Sequence, residues 1–91
     1  MQAYVISYDL DSPGPKNYER LIVRLKNLGA SRILWSQWIL KSTGNSATIE
    51  EDLMKYIDPE TDSFLVMALT RDTTWNRLRI SDDQFRGWMA G

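Results

Sequence analysis

The chain has 91 residues, a formal net charge of −1, and neither cysteine nor histidine. A chain of this length forms one small domain with a modest core, and dimerisation commonly supplements such a core. The missing residue types exclude disulfides, thiolate zinc sites, cysteine nucleophiles and imidazole bases, which leaves carboxylates, hydroxyls and basic side chains for chemistry. Since no signal peptide or membrane-spanning apolar run is visible, we expect a cytoplasmic protein without membrane contact.

The first predicted element is a strand over residues 3–10 (AYVISYDL), because the segment is rich in β-branched and aromatic residues. Strand alternation gives the segment two different faces. One face is large and apolar and consists of Tyr4, Ile6, Tyr8 and Leu10. The other is mixed and consists of Val5, Ser7 and Asp9. Turn residues at 11–15 end this strand. The apolar stripe that follows has helical spacing and predicts a helix capped by Gly29.

Four more strands are predicted downstream. Segments 31–35 and 37–41 have strand composition and are separated by a bend or bulge near Ser36. The nearly all-apolar segment 63–69 is typical of a central strand covered on both faces. Alternating residues at 75–80 indicate an edge strand in the C-terminal tail.

Two further helices are predicted from apolar spacing and capping residues. One helix covers residues 48–57, with Thr48 and Glu51 forming a capping box or with Ser46 as the cap. The second is a short C-terminal helix. Ser81 and Gln84 form its capping box, and its apolar stripe consists of Phe85, Trp88 and Met89.

The order β-α-β-β-α-β matches a ferredoxin-like α+β sandwich, here with an extra C-terminal strand and short helix. We treat residues 1–91 as a single domain, of which residues 70–91 are a C-terminal extension. In this plan both helices cover one face of the sheet. We therefore predict that the other face is open and forms a homodimer interface.

Two stretches carry a resemblance to a known family. The first strand ends in Tyr8-Asp9-Leu10, and residues 32–38 (RILWSQW) resemble the R-x-Q-x-S-V-F strand pair of the CRISPR-associated endoribonuclease "Cas-two" superfamily. The resemblance covers roughly residues 3–69 and looks most like a divergent, SinR-like branch. Virulence-associated protein D toxins share the fold of this superfamily.

The resemblance implies a homodimer that engages RNA or DNA and has a larger protein partner. Asp9 matches the family aspartate that binds a divalent metal near the dimer axis, which makes it the candidate catalytic residue and the ligand for Mg²⁺ or Mn²⁺. Arg32 and Ser36 match the polar positions of the strand pair. Leu34 stands where the family often has glutamine, and Trp38 replaces a phenylalanine.

Arginine beside tryptophan suits single-stranded nucleic acid, because bases stack on aromatic rings while guanidinium groups contact phosphates. Arg77, Arg79 and Trp75 therefore join Arg32 and Ser36 as candidate nucleic-acid-binding residues. We expect Trp75 to be the exposed tryptophan. The other three tryptophans are expected in the core or in a dimer interface.

The sequence leaves three functional hypotheses open, one of which is a toxin-like ribonuclease of the virulence-associated type that depends on Asp9. The other two are stated next. The first is a Cas-two-like homodimer that engages nucleic acid and cleaves RNA or DNA phosphodiesters with a metal bound at Asp9. The alternative is a non-catalytic dimeric scaffold of the same fold, which the near-neutral charge and Leu34 favour. Asp9 itself has a structural alternative, as an acceptor of backbone hydrogen bonds in the turn that follows it.

Overall fold

The computed structural model describes residues 1–10 and 15–90. Their elements, in chain order, are β1 (Gln2–Asp9), α1 (Pro15–Asn27), β2 (Ser31–Leu34), β3 (Gln37–Ser42), α2 (Ser46–Leu53), a 3₁₀ turn (Met54–Tyr56), β4 (Ser63–Ala68) and α3 (Asp82–Met89). The turn predicted at 11–14 lies outside the described residues. None of the helices in the described part has the length and apolarity that crossing a bilayer requires.

The strands form an antiparallel four-stranded sheet in the order β2-β3-β1-β4. β1 lies in the middle, where Ser7 is opposite Gln37 of β3 on one side and Leu65 of β4 on the other. The predicted α+β class is therefore confirmed, and the order of elements and strands is consistent with the ferredoxin-like plan.

One face of the sheet packs against α1 and α2, as the alternation of β1 predicts. Its buried cluster consists of Tyr4, Ile6, Tyr8, Leu10, Leu21, Leu25, Trp38, Leu40, Ile49 and Leu53.

The end of α1 also follows the prediction, since Gly29 adopts φ 83° and the amide of Ala30 donates to the carbonyl of Leu25 at 3.0 Å. This is the hydrogen bond of a Schellman cap, which needs a left-handed residue at the position of Gly29.

The second face of the sheet is covered in part by α3, so the prediction of an open face is wrong for that part. Phe85 is only 2% exposed and belongs to a second buried cluster with Ala3, Val5, Ile33 and Ile39. The physical reason is the apolar stripe of α3, which needs an apolar surface to cover it. The uncovered part of this face is the half that carries the end of β1.

β4 is an edge strand, which corrects its prediction as a central strand covered on both faces. Leu65 and Met67 are 54% and 41% exposed on the side away from α1 and α2. The tail packs instead toward Ile33 and Ile39 in β2 and β3. Composition could not distinguish these cases, because an apolar run indicates burial only when something covers it.

The strand predicted at 75–80 does not form. Arg77 has φ 55°, a left-handed conformation that interrupts extended backbone. The segment nevertheless lies along β2, because the amide of Arg79 donates to the carbonyl of Ile33 at 2.8 Å. The short helix after it is confirmed, including the capping box of Ser81 and Gln84.

The cap of α2 differs from both predicted alternatives. Asn45 is the N-cap, and its side-chain oxygen accepts a hydrogen bond from the amide of Thr48 at 3.0 Å. Neither Thr48 nor Ser46 caps the helix, because the helix begins earlier than the apolar spacing suggests. The predicted bend near Ser36 is confirmed as a turn at 35–36, with a bulge between Arg32 and Leu34.

Candidate nucleic-acid interface

One end of the sheet brings Asp9 and the turn between β2 and β3 together. The amide of Tyr8 donates to the carbonyl of Ser36 at 3.1 Å. One position along, the Gln37 side-chain amide donates to the Ser7 hydroxyl at 3.3 Å. We call this region the hairpin end, defined by residues 7–9, 35–37 and 63–65. It contains two of the positions that carry the family resemblance, Asp9 and Ser36.

Asp9 is exposed at the hairpin end and lies opposite Ser63 in the β1–β4 ladder. A shallow depression beside it is lined by Ser7, Tyr8, Asp9, Ser63, Phe64 and Leu65. Among residues 1–10 and 18–90, the hydrogen bonds and ion pairs that are found do not involve the Asp9 carboxylate. The structural alternative, a role in the turn at 11–14, concerns residues outside these ranges.

The donor type at Asp9 fits a hard divalent cation, since carboxylate oxygens are preferred ligands of Mg²⁺. Across the described part of the chain, no three acidic side chains converge as a metal-binding group. Mg²⁺ commonly uses one or two carboxylates together with water and phosphate oxygens. Asp9 supplies one exposed carboxylate of this kind.

Tyr8 borders this depression, but its side chain belongs to the core. Its side chain is 5% exposed, and its hydroxyl accepts a hydrogen bond from the Trp38 indole nitrogen at 3.2 Å. The inward position predicted from strand alternation is thus confirmed. The Tyr8 hydroxyl serves the core beneath the hairpin end, while the Asp9 carboxylate faces solvent.

Arg32, Trp35, Trp38 and Arg79 form a group at the same end of the sheet, which we call the Trp35 cluster. The Arg32 guanidinium carbon lies 5.3 Å from the centroid of the Trp35 ring and 4.9 Å from that of Trp38. Arg79 reaches the Trp35 ring from the tail, also at 5.3 Å. These distances are within the range of cation–π attraction. Trp35 itself is 69% exposed.

The two arginines of the Trp35 cluster have no carboxylate partner in residues 1–10 and 15–90. The ion pairs found there join Arg24 to Asp52 and Arg86 to Asp83. In addition, the Nε atom of Arg32 is buried without a hydrogen-bond partner among the described residues. The cluster is therefore locally positive, although the whole chain carries a net charge of −1.

Trp75 is half-buried, so the expectation that it is the exposed tryptophan is wrong. Its ring lies 4.6 Å from the centroid of Phe85, and its indole nitrogen donates to Asp82 at 3.0 Å. The ring is half-buried because it packs against Phe85 and the second buried cluster. Trp38 is buried, whereas Trp35 is the exposed tryptophan that sequence reasoning missed. Its position next to the bend predicted near Ser36 was the available signal, since turns lie at the surface.

The remaining predicted site residues are divided between the cluster and its surroundings. Arg32 and Arg79 both lie against the Trp35 ring, although they are far apart in the sequence. Ser36 is half-buried and holds β1 through its backbone carbonyl. Arg77 is exposed two positions before Arg79.

No protein-family model matches the sequence. The fold is similar to that in the crystal structure of a hypothetical protein, TT1823, from Thermus thermophilus. The TM-score is 0.67 with 14% sequence identity, over 87% of this chain and 95% of that chain. At this level of identity the likeness shows a shared fold alone.

Proposed function

We propose that this chain is a Cas-two-like, homodimeric protein that engages nucleic acid through its hairpin end. The observation that supports this most is the hydrogen bond between the Tyr8 amide and the Ser36 carbonyl, 3.1 Å long. It keeps Asp9 beside the turn that follows Arg32. The residues on which the family resemblance rests therefore lie at the same end of the sheet.

The charge of the Trp35 cluster provides the attraction for nucleic acid. Arg32 and Arg79 have no carboxylate partner in the described chain, so their guanidinium groups are free to bind phosphate oxygens. Phosphate contacts of this kind account for most of the affinity in nonspecific complexes, and they weaken steeply as salt rises. The slightly acidic overall composition does not prevent this, because the two charges are local.

For the metal, we propose that the Asp9 carboxylates of two copies hold Mg²⁺ or Mn²⁺. When bound, such a cation polarises a phosphoryl oxygen of the nucleic-acid backbone. Asp9 supplies an exposed oxygen ligand, and Arg32 and Arg79 hold the phosphate chain against the hairpin end.

The dimer contact that we propose is narrower than a whole open face. Leu65 and Met67 lie side by side on the exposed edge strand, beyond the area that α3 covers. A second copy placed over them would remove apolar surface from water. Because Leu65 is opposite Ser7 in the ladder, the same contact would bring the two Asp9 residues toward each other.

The direct test is a cleavage assay on RNA and DNA with Mg²⁺ or Mn²⁺. Asp9→Asn removes the negative charge with little change in shape, and we expect it to abolish cleavage while leaving binding intact. Glu50→Gln is the matched control, because it removes one exposed carboxylate from α2. Cleavage by Asp9→Asn at the wild-type rate would contradict the proposed metal role.

The scaffold alternative is supported by the exposed apolar pair Leu65 and Met67, which suits a protein partner as well as a second copy. Leu34, at the end of β2, is also apolar and is 41% exposed. Binding of labelled oligonucleotides at low salt separates the two functions. A scaffold predicts no binding to any oligonucleotide, whereas the leading proposal predicts binding that falls as salt rises.

A further inference from the structure

Trp35 has an exposed indole ring and belongs to neither buried cluster. The ring is 69% exposed, whereas Trp38, three positions later, is buried at 3%. A large aromatic surface left in water costs free energy, and side chains of this kind are concentrated at binding sites. The guanidinium groups of Arg32 and Arg79 lie within cation–π distance of the Trp35 ring.

The turn that carries Trp35 is held by backbone hydrogen bonds on both sides. Ser36, the next residue, accepts the hydrogen bond from the Tyr8 amide at 3.1 Å. On the other side, Ile33 accepts one from the Arg79 amide at 2.8 Å, which fixes Arg79 beside the same turn. A platform that is already ordered loses little conformational entropy when a ligand binds.

The two arginines complete a site for an anion next to a flat ring. Each guanidinium carbon lies 5.3 Å from the Trp35 centroid, and neither group is neutralised by an acidic side chain of residues 1–10 or 15–90. A phosphodiester places a negative charge beside each base, so one nucleotide offers both a stacking surface and a partner for an arginine.

We infer that the Trp35 cluster binds an unpaired nucleotide of single-stranded RNA or DNA, with the base stacked on Trp35 and the neighbouring phosphates on Arg32 and Arg79. This inference rests on the proposed function and adds its substrate class. A duplex is a poorer ligand, because its bases are stacked on each other and offer no free face to the ring. Sequence preference is expected to be weak, since every base has a π face.

The test measures binding of labelled single strands of RNA and of DNA, and of a duplex of equal length. We expect the single strands to bind more tightly than the duplex, and Trp35→Ala to weaken their binding about tenfold or more. Trp35→Phe keeps a smaller ring and should lose less affinity. The RNA and DNA arms identify which strand is preferred.

Three further measurements separate stacking from charge, from the planar arginine group and from unfolding. Lys26→Gln removes one exposed positive charge from α1, and we expect it to leave the preference for single strands unchanged. Arg32→Lys and Arg79→Lys keep the charge but remove the planar group, so they should weaken binding at constant salt. Thermal unfolding of Trp35→Ala should match wild type, because the ring is exposed.

The outcomes distinguish this inference from the proposed function. Equal binding of duplex and single strand, or full affinity in Trp35→Ala, overturns the role of Trp35 and leaves nucleic-acid binding standing. If the wild-type protein binds none of these oligonucleotides at low salt, both the role of Trp35 and nucleic-acid binding are overturned. The Trp35 cluster would then be a contact site for a protein partner.

Discussion

The indole nitrogen of Trp38 donates a hydrogen bond to the hydroxyl of Tyr8 at 3.2 Å, and both side chains are buried beneath the hairpin end. Tyr8→Phe would leave the indole N–H without its partner in the core. We expect a loss of about 1–3 kcal/mol in the free energy of unfolding. Urea denaturation measures it. Tyr18→Phe is the control, because the Tyr18 hydroxyl makes a longer, partly exposed bond of 3.4 Å to Leu10 and should cost less.

Two glycines should respond to alanine with opposite sign. Gly29 ends α1 at φ 83°, where a Cβ meets no atom within 4 Å, so Gly29→Ala is destabilising through backbone strain alone, by about 1–2 kcal/mol. Gly87 lies inside α3, also without a close neighbour. Gly87→Ala should stabilise the protein by about 0.5–1 kcal/mol. Equal effects of the two substitutions would contradict the left-handed cap.

The ion pair between α1 and α2 should make stability depend on acid pH. Arg24 donates two hydrogen bonds to the Asp52 carboxylate, at 2.6 and 3.0 Å, and these bonds lower the pKa of Asp52. Since the folded state then binds this proton less readily than the unfolded state, the stabilisation is present above a pH of about 4. It is lost as the pH falls through the lowered pKa.

Asp52→Asn provides the measurement for this pH dependence. The wild-type melting temperature should exceed that of the variant near neutral pH, and the difference should shrink in acid. Glu51→Gln is a neighbouring control, because Glu51 is exposed. A difference between wild type and Asp52→Asn that stays constant into strong acid would rule out this linkage.

The proposed dimer contact can be tested by charge insertion. Leu65→Lys with Met67→Lys should convert a dimer to a monomer in sedimentation experiments, because each copy would bury charged groups in place of two exposed apolar ones. Val23→Lys is the matched control, since Val23 is 50% exposed on α1 and lies outside the proposed contact. A wild-type monomer at all concentrations, or a dimer unaffected by the paired lysines, would refute the contact.

Local sequence patterns correctly predicted the features that depend on a single segment of the chain. The alternation of β1 placed Tyr8 inward and Asp9 outward, and Gly29 marked the end of α1 correctly. These features depend on strand alternation and on backbone conformation, both of which are readable along the chain.

The incorrect predictions concern features that depend on how distant segments of the chain pack against each other. The apolar run of β4 is exposed in part because α3 covers other strands, and Trp75 is half-buried because Phe85 lies against it. The strand predicted through Arg77 fails because that residue is left-handed. The exposed position of Trp35 follows from the exact end of β2, which composition locates only to within a few residues.

The salt dependence of single-strand binding tests the central proposal most directly. Wild-type protein should bind a labelled single strand, with an affinity that falls linearly as salt rises on logarithmic scales. Replacing both Arg32 and Arg79 by glutamine should reduce the magnitude of that slope by about 1.4, since each phosphate contact contributes about 0.7 on a single strand. Absence of binding at low salt, or an unchanged slope in the double variant, would contradict nucleic-acid engagement at the hairpin end.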